Sequence, residues 1–345
     1  MRSYQAKYRK DLAALKISAV AFTDKGMQLG KMLQQNSEDV IELSRCGEGE
    51  LYKWTEEKFS SSEALVFIGA AGISVRAISP YVRSKSLYPA VIVMDELCKF
   101  AIPILSGHIG GANKLASALA RLTDGIPVIT TATDLENVFS VDVWAKSVGL
   151  RIANIEAIKY VSSKLLSGEI VHYDSIFPIS GATPKGIELS GPDDASDFSI
   201  TYLSSVPNKI LHLVPPVLTL GIGCKKGKSC ESIEEAYTDF LSKCGCHPLA
   251  VREVCSIDLK AQEGGLIEFC EKHGLPFRTF TSDELSNVIG KFTPSEFVEQ
   301  VAGVDNVCER SAVLGSGGNL FVRKMIFDGV TMALAIKEPD ISEEE

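Results

Sequence analysis

The run Ser106-Gly107-His108-Ile109-Gly110-Gly111-Ala112-Asn113 gathers the residues best suited to chemistry. An imidazole exchanges protons near neutral pH. Glycines allow a tight turn and leave backbone N–H groups uncovered, and at a helix N-terminus such groups form an anion site. The run lies between the apolar stretch Phe100–Leu105 and a helical pattern over 112–123. Ligands of an open α/β sheet gather at the C-terminal ends of its strands. Ser106, Gly107, Gly110, Gly111 and Asn113 are therefore candidate ligand contacts, and His108 is the first candidate for general base or acid. A glycine turn with a solvent-facing histidine is the structural alternative.

Other junctions carry related chemistry. Gly69-Ala70-Ala71-Gly72 follows an apolar run, and Arg76 sits one helical turn beyond Gly72, so Gly69, Gly72 and Arg76 are candidate anion contacts, with a packing turn as the equal alternative. Asp95 and Glu96 follow the run Ala90–Met94. Glu96 is the second candidate for acid–base work, Asp95 is equally a turn cap, and Lys99 is a candidate partner for a carboxylate. Gly221-Ile222-Gly223-Cys224-Lys225-Lys226-Gly227-Lys228-Ser229 imitates two nucleotide-binding motifs and satisfies neither. A P-loop needs Gly where Ile222 stands, and a dinucleotide fingerprint needs Gly where Lys226 stands. What remains is a cationic glycine loop, either a solvated basic turn or a site suited to a ligand rich in carboxylates, with Gly221, Gly223, Cys224 and Lys225 as candidate contacts. Lys260 and Glu263 close a second such junction, as a structural ion pair or as ligand contacts. There is no G-x-S-x-G elbow and no HExxH motif.

These loops need a scaffold of alternating strands and helices. Ile17–Phe22, Val40–Leu43, Ala64–Ile68, Ala90–Met94, Phe100–Leu105 and 126–130 read as strands. Gly26–Gln35 and 112–123 read as helices, the latter with Leu115, Leu119 and Leu122 on one face. Pro103 pushes its strand toward a sheet edge. The stretch 180–199 is polar and turn-rich, and Pro215–Pro216 marks a linker. Beyond it, 217–222 and 249–254 read as strands and 262–273 as a helix. The runs 320–327 and 330–337 flank Asp328-Gly329, a strong hairpin signal. The fold expected is α/β: two doubly wound, mostly parallel α/β domains joined by a small irregular or β-rich middle module. The boundaries are an N-terminal extension over 1–16, a first domain over 17–149, the middle module over 150–215, a second domain over 216–338 and an acidic tail over 339–345.

Composition narrows the function. Of 345 residues, 45% are hydrophobic and 23% charged, as in a folded globular chain. The net charge of −9 argues against nucleic acid as the main partner. No apolar segment reaches about 18 residues, so no membrane span is expected. Met1–Lys16 lacks the apolar core of a signal peptide. Nine cysteines without a C-x-x-C pair suit reduced thiols in a cytoplasmic protein. Cys244, Cys246 and His247 lie close together, but no second cluster completes a four-ligand site, so no metal site is assigned.

The motifs resemble a known family. Ile68–Arg76, Val91–Glu96, Leu105–Asn113 and Pro127–Asp134 look like the N-terminal domain of the cobalt-precorrin-5A hydrolase family (CbiG). Gly221–Cys224, Ser256–Lys260, Glu263, Gly265, Leu266, Glu309, Ala312, Lys324 and Thr331–Ala333 resemble the domain that this family shares with the stand-alone CobE proteins. One departure is Cys98, where the family pattern usually has Gly. Lys225 and Lys226 stand where Arg is common, which keeps charge but loses bidentate geometry. The resemblance implies an enzyme of the anaerobic route to vitamin B12 that opens a δ-lactone and releases acetaldehyde. Its substrate would be an anionic, cobalt-bearing tetrapyrrole, so the protein itself would need no cofactor. Neighbouring enzymes of the cobalamin pathway would be further partners. Two other readings stay open: a tetrapyrrole-binding escort without chemistry of its own, and a nucleotide-binding α/β protein.

Overall fold

The computed structural model describes residues 14–341 apart from 48, 83–87, 109, 137, 182 and 192–193. Most of the expected N-terminal extension, the end of the acidic tail, and Ile109 and Pro192 therefore lie outside the described residues. Compactness divides the chain between Val143 and Trp144.

The first unit is built from β1 (Lys16–Ala21), α1 (Asp24–Asn36), β2 (Val40–Arg45), α2 (Leu51–Ser61), β3 (Ala64–Ile68), α3 (Ala71–Ile78), β4 (Ala90–Met94), β5 (Phe100–Leu105), α4 (Ala112–Thr123), β6 (Ile126–Pro127), α5 (Ala132–Leu135) and α6 (Val141–Ser147), the last running across the division. The sheet order is β2-β1-β3-β4-β5-β6. β3 and β4 are apolar at every position and buried along their whole length, as strands covered on both faces must be. Leu29, Leu33, Leu115 and Leu119 pack with Ile17, Val66 and Ile92 in one core. Trp54, Phe59, Ala77 and Ile78 pack with Leu65, Phe67 and Val91 in the other. Thus α1 and α4 cover one face, α2 and α3 the opposite one. Leu122, expected beside Leu115 and Leu119, is exposed in the last turn of its helix.

One strand direction departs from expectation and matters for function. β1, β2, β3 and β4 are parallel neighbours, but β5 runs antiparallel to β4, with Ala101 opposite Met94 and Leu105 opposite Val91. The cause is the short connection 95–99: a parallel crossover needs about a dozen residues or more. β6 covers only Phe100 and Ala101, so Pro103 lies where the outer neighbour has ended. Of the strand expected over 126–130, only Ile126–Pro127 forms.

The second unit carries two sheets. Its first part contains β7 (Arg151–Ile152), α7 (Ile158–Leu166), β8 (Val171–Ser175), β9 (Ile187–Leu189), β10 (Phe198–Ile200) and β11 (Leu211–Val214), in sheet order β7-β11-β10-β8-β9. Next come β12 (Leu218–Cys224), α8 (Cys230–Cys244), β13 (Val251–Ile257), α9 (Gly264–His273), β14 (Phe277–Phe280), α10 (Ser282–Ser286), α11 (Glu296–Ala302), α12 (Cys308–Ser316), β15 (Asn319–Phe327) and β16 (Val330–Ile336). Their sheet order is β14-β13-β12-β16-β15. The Asp328-Gly329 turn joins β15 to β16 as expected, with Gly329 at φ 69°. Pro215, expected in a linker, is buried, and the segment leads directly from β11 to β12. The Arg151 guanidinium also ties these sheets, donating to the carbonyls of Leu249 and Val251 at 3.0 and 2.8 Å.

Candidate functional site

Because β5 is reversed, the sequence-derived residues of the first unit fall at two opposite edges of its sheet. The C-terminal ends of β1, β3 and β4 form one edge. Glu96 lies there and accepts a hydrogen bond from Thr23 Oγ1 at 2.5 Å, while Thr23 also caps α1 through the Gly26 amide. Asp95 accepts the amides of Leu97 and Phe100, so it serves as a turn cap. Gly69 donates to the Met94 carbonyl, and Gly72, Arg76 and Lys99 are exposed along the same edge. The Ser106–Asn113 turn follows β5 and lies at the other edge, where Ser106 Oγ donates to the Tyr88 carbonyl just before β4. The two edges are a strand length apart, roughly 15 Å. His108 and Glu96 therefore cannot serve one water as an acid–base pair: each follows the C-terminal end of its strand, but the mostly parallel sheet expected would put those ends at one edge, and the antiparallel β5 puts them at two.

The glycine turn is shaped by close packing. A Cβ at Gly110 would lie 2.2 Å from Ser106 Cβ, and one at Gly107 would lie 2.9 Å from Asn113 Oδ1. The amides of Gly111, Ala112 and Asn113 donate to the carbonyls of His108, Ser106 and Gly107. Those three N–H groups hold the turn together, so they are not the uncovered donors that the glycine content implied.

The turn sets His108 among side chains from α4, α5 and α6. Its Nε2 is 2.9 Å from Asp134 Oδ2 and 3.1 Å from Thr133 Oγ1. Its Nδ1 is 3.4 Å from Asp142 Oδ2. Asn113, itself buried, donates from Nδ2 to Asp134 Oδ2 at 2.8 Å and to Thr131 Oγ1 at 3.0 Å. Side-chain exposure separates the carboxylates: 39% for Asp134 against 5% for Asp142. Asp142 Oδ1 is buried with no hydrogen-bond partner among the described residues. Hydrogen bonding to Asp142 is the largest influence on His108. Burial opposes it, Asp134 adds to it, and the imidazole pKa is pushed up to about 9. His108 is thus a cation at neutral pH, with both ring nitrogens turned toward carboxylates, and this removes it as a resting-state general base. The residue-type reading found His108 and Asn113 but assigned no role to Thr131, Thr133, Asp134 or Asp142. The polar segment 131–134 after an apolar run was the available signal for Asp134. Asp142 had none beyond an acidic residue in the first turn of a helix.

In the second unit the candidates meet at the rim where β12 and β13 end. Lys260 Nζ lies 3.0 Å from Glu263 Oε2, and Glu263 Oε1 accepts the Gly227 amide at 2.5 Å. Burial alone would raise the Glu263 pKa, but the Gly227 amide and Lys260 outweigh it and the carboxyl is held low. Lys228 pairs with Asp328 at 3.0 Å, and the Lys225 amide donates to Gly329. Cys224 is half-buried, and burial pushes its thiol up. Lys225 and Lys226 project into solvent beside it. Gly223 lies under Thr331, whose hydroxyl donates to its carbonyl at 3.2 Å. Gly221 is different: it is buried in the sheet, and a Cβ there would lie 1.8 Å from the Cys308 carbonyl. Its bareness lets α12 lie against β12, so packing and not ligand contact explains it. Glu253, a further acid–base possibility, is held between Arg252 and Arg278 with a hydrogen bond from Thr219. His247 Nδ1 accepts the Leu249 amide, which commits it away from Cys244 and Cys246 as a ligand through that nitrogen.

The family model described as Cobalamin synthesis G N-terminal matches residues 53–134, and that described as Cobalamin synthesis G C-terminus matches 218–335. The cobalt-precorrin-5A hydrolase of Salmonella typhimurium is 32% identical over 293 residues, covering 81% of this chain and 84% of that protein. The cobalt-precorrin-5A hydrolase of Priestia megaterium is 30% identical over 356 residues, covering 92% and 94%. Protein CobE of a Sinorhizobium species is 28% identical over 121 residues, covering 34% of this chain and 79% of its own length. With both regions matched and likeness running through most of its length, the chain belongs to the cobalt-precorrin-5A hydrolase family.

Proposed function

We propose that this chain is a cobalt-precorrin-5A hydrolase of cobalamin biosynthesis. Water opens the δ-lactone at the ring A acetate, the freed oxygen at the bridging carbon permits carbon–carbon fission, and acetaldehyde leaves as the ring contracts toward a corrin. What carries this reading is the likeness to enzymes of that name across nearly the whole of both chains. The residue chemistry supports it. Lactone attack needs a group that takes a proton from water, and the polar cluster around His108 offers carboxylates for that task. A macrocycle with many acetate and propionate arms needs cationic contacts. Lys225 and Lys226 present such charges in the second unit, with Arg76 and Lys99 in the first. Cobalt enters as part of the substrate, so the reading calls for no resident metal or cofactor. No helix among the described residues is long and apolar enough to cross a membrane; the proposed setting is the cytoplasm, beside other enzymes of the pathway.

The test is to incubate purified protein with cobalt-precorrin-5A and measure acetaldehyde. Stoichiometric release with conversion of the macrocycle is expected. Tight binding of the macrocycle without aldehyde would replace the hydrolase with a tetrapyrrole escort.

A further inference from the structure

We propose that Asp134, and not His108, takes the proton from the attacking water, while His108 is a positioning residue held between Asp134 and the buried Asp142. This assignment rests on the hydrolase reading and deepens it. Three observations converge on Asp134. Its Oδ2 is gripped by two donors, His108 Nε2 at 2.9 Å and Asn113 Nδ2 at 2.8 Å, which fixes the carboxylate plane. Its Oδ1 has no partner among the described residues, and the side chain is 39% exposed, so a free lone pair faces solvent. His108, by contrast, has Nε2 shared between Asp134 and Thr133 and Nδ1 directed at Asp142, with neither nitrogen left for water. Asp142 supplies the charge that keeps the imidazole in place: it is buried, and His108 is its ion-pair partner. The arrangement is a chain in which a buried carboxylate holds a cation, the cation and an amide hold a second carboxylate, and that one meets the substrate.

The step balances without any further reactant. Asp134 Oδ1 accepts a proton from water as the water oxygen bonds to the lactone carbonyl carbon. The tetrahedral adduct collapses, the bond from that carbon to the ring oxygen breaks, and the alkoxide leaving on the macrocycle takes the proton back from Asp134. One water is consumed and one carboxyl and one hydroxyl are formed. His108 stays protonated throughout.

The experiment uses the full chain, with acetaldehyde release and macrocycle binding measured side by side. Asp134→Asn should lower kcat by about a hundredfold or more with KM changed less than about threefold. Asp134→Glu should recover part of the loss, and macrocycle binding retained by both variants would show that they are folded. Asp142→Asn should lower kcat by about tenfold, because His108 loses the charge that orients it. The pH profile separates the two candidate bases. If neutral His108 were the base, kcat would climb toward about pH 9 as the imidazole gives up the proton that Asp142 and Asp134 stabilise; an Asp134 base predicts no climb between neutrality and that point. Native protein that is active while Asp134→Asn keeps full turnover, or a kcat that rises to about pH 9, overturns the assignment and leaves the hydrolase reading standing. Native protein that binds the macrocycle and releases no aldehyde overturns the hydrolase reading itself.

Discussion

Cys98 turns the chain with φ 61°, in the left-handed region where a side chain other than glycine's is strained. The turn takes this left-handed shape with cysteine in place. At an ordinary position alanine is more stable than glycine by about 0.5–1 kcal/mol. At residue 98 the order should invert. Both Cys98→Gly and Cys98→Ala lose the thiol, but only glycine relieves the backbone, so Cys98→Gly should be the more stable of the two by about 1 kcal/mol. Urea unfolding of the pair measures it, and equal midpoints would refute it. His108 offers a second residue-scale test through linkage. Its folded pKa is raised from 6.5 to about 9, so its contribution to stability is complete below about pH 6.5 and is lost as pH rises through about 9. The shift corresponds to at most ~3 kcal/mol. Native protein should therefore lose stability between neutrality and about pH 9 in a way that His108→Gln does not, and parallel melting curves for the two would sink the ion-pair geometry.

At the scale of elements, Glu309 shows how a buried charge organises a region. It is fully buried at the start of α12 and accepts the Thr293 amide and hydroxyl and the Lys324 amide at 2.7–2.8 Å. Asn306 completes the arrangement, accepting the Glu309 amide and donating to the Thr293 carbonyl. One carboxylate thus joins α12, β15 and the segment before α11. Glu309→Ala would strand three donors away from water and should cost about 2–4 kcal/mol, read as a lowered urea midpoint; a change under about 1 kcal/mol would show that water replaces the carboxylate. The sequence marked Glu309 as part of a resemblance but carried no sign of these partners, which are distant along the chain. Strand and helix identities were legible because burial writes a pattern into local sequence: β3 and β4 are uninterrupted apolar runs, and Asp328-Gly329 names its own turn. The direction of β5 was also legible, since residues 95–99 are too few for a crossover. Taking alternation alone as proof of parallel pairing put His108 and Glu96 at one edge when the hairpin sets them at two. Asp142 was not legible, because its role depends on a histidine that only the fold brings near.

For the whole molecule, charge sets a contest between far field and contact. The chain carries −9 overall, and its proposed substrate is a polyanion, so the long-range field repels what the site must hold. Binding then depends on a few cations at short range. Lys260 is committed to Glu263 and Lys228 to Asp328, whereas Lys225 has no ion-pair partner among the described residues and is exposed at the end of β12. Contact attractions at a few Å outweigh a diffuse repulsion, and both fade as the Debye length falls from ~30 Å at about 0.01 M salt to ~3 Å at about 1 M. If the lysines hold the carboxylate arms, KM should rise across that range while kcat stays nearly constant. Lys225→Ala should raise KM several-fold at low salt, leave kcat within about twofold, and flatten the salt dependence. Lys260→Ala should act differently, since it also releases Glu263 from its pair and loosens the loop held by the Gly227 amide. A KM that falls with added salt would mean that overall repulsion dominates, and the basic rim of the second unit would lose its assigned part in holding the macrocycle.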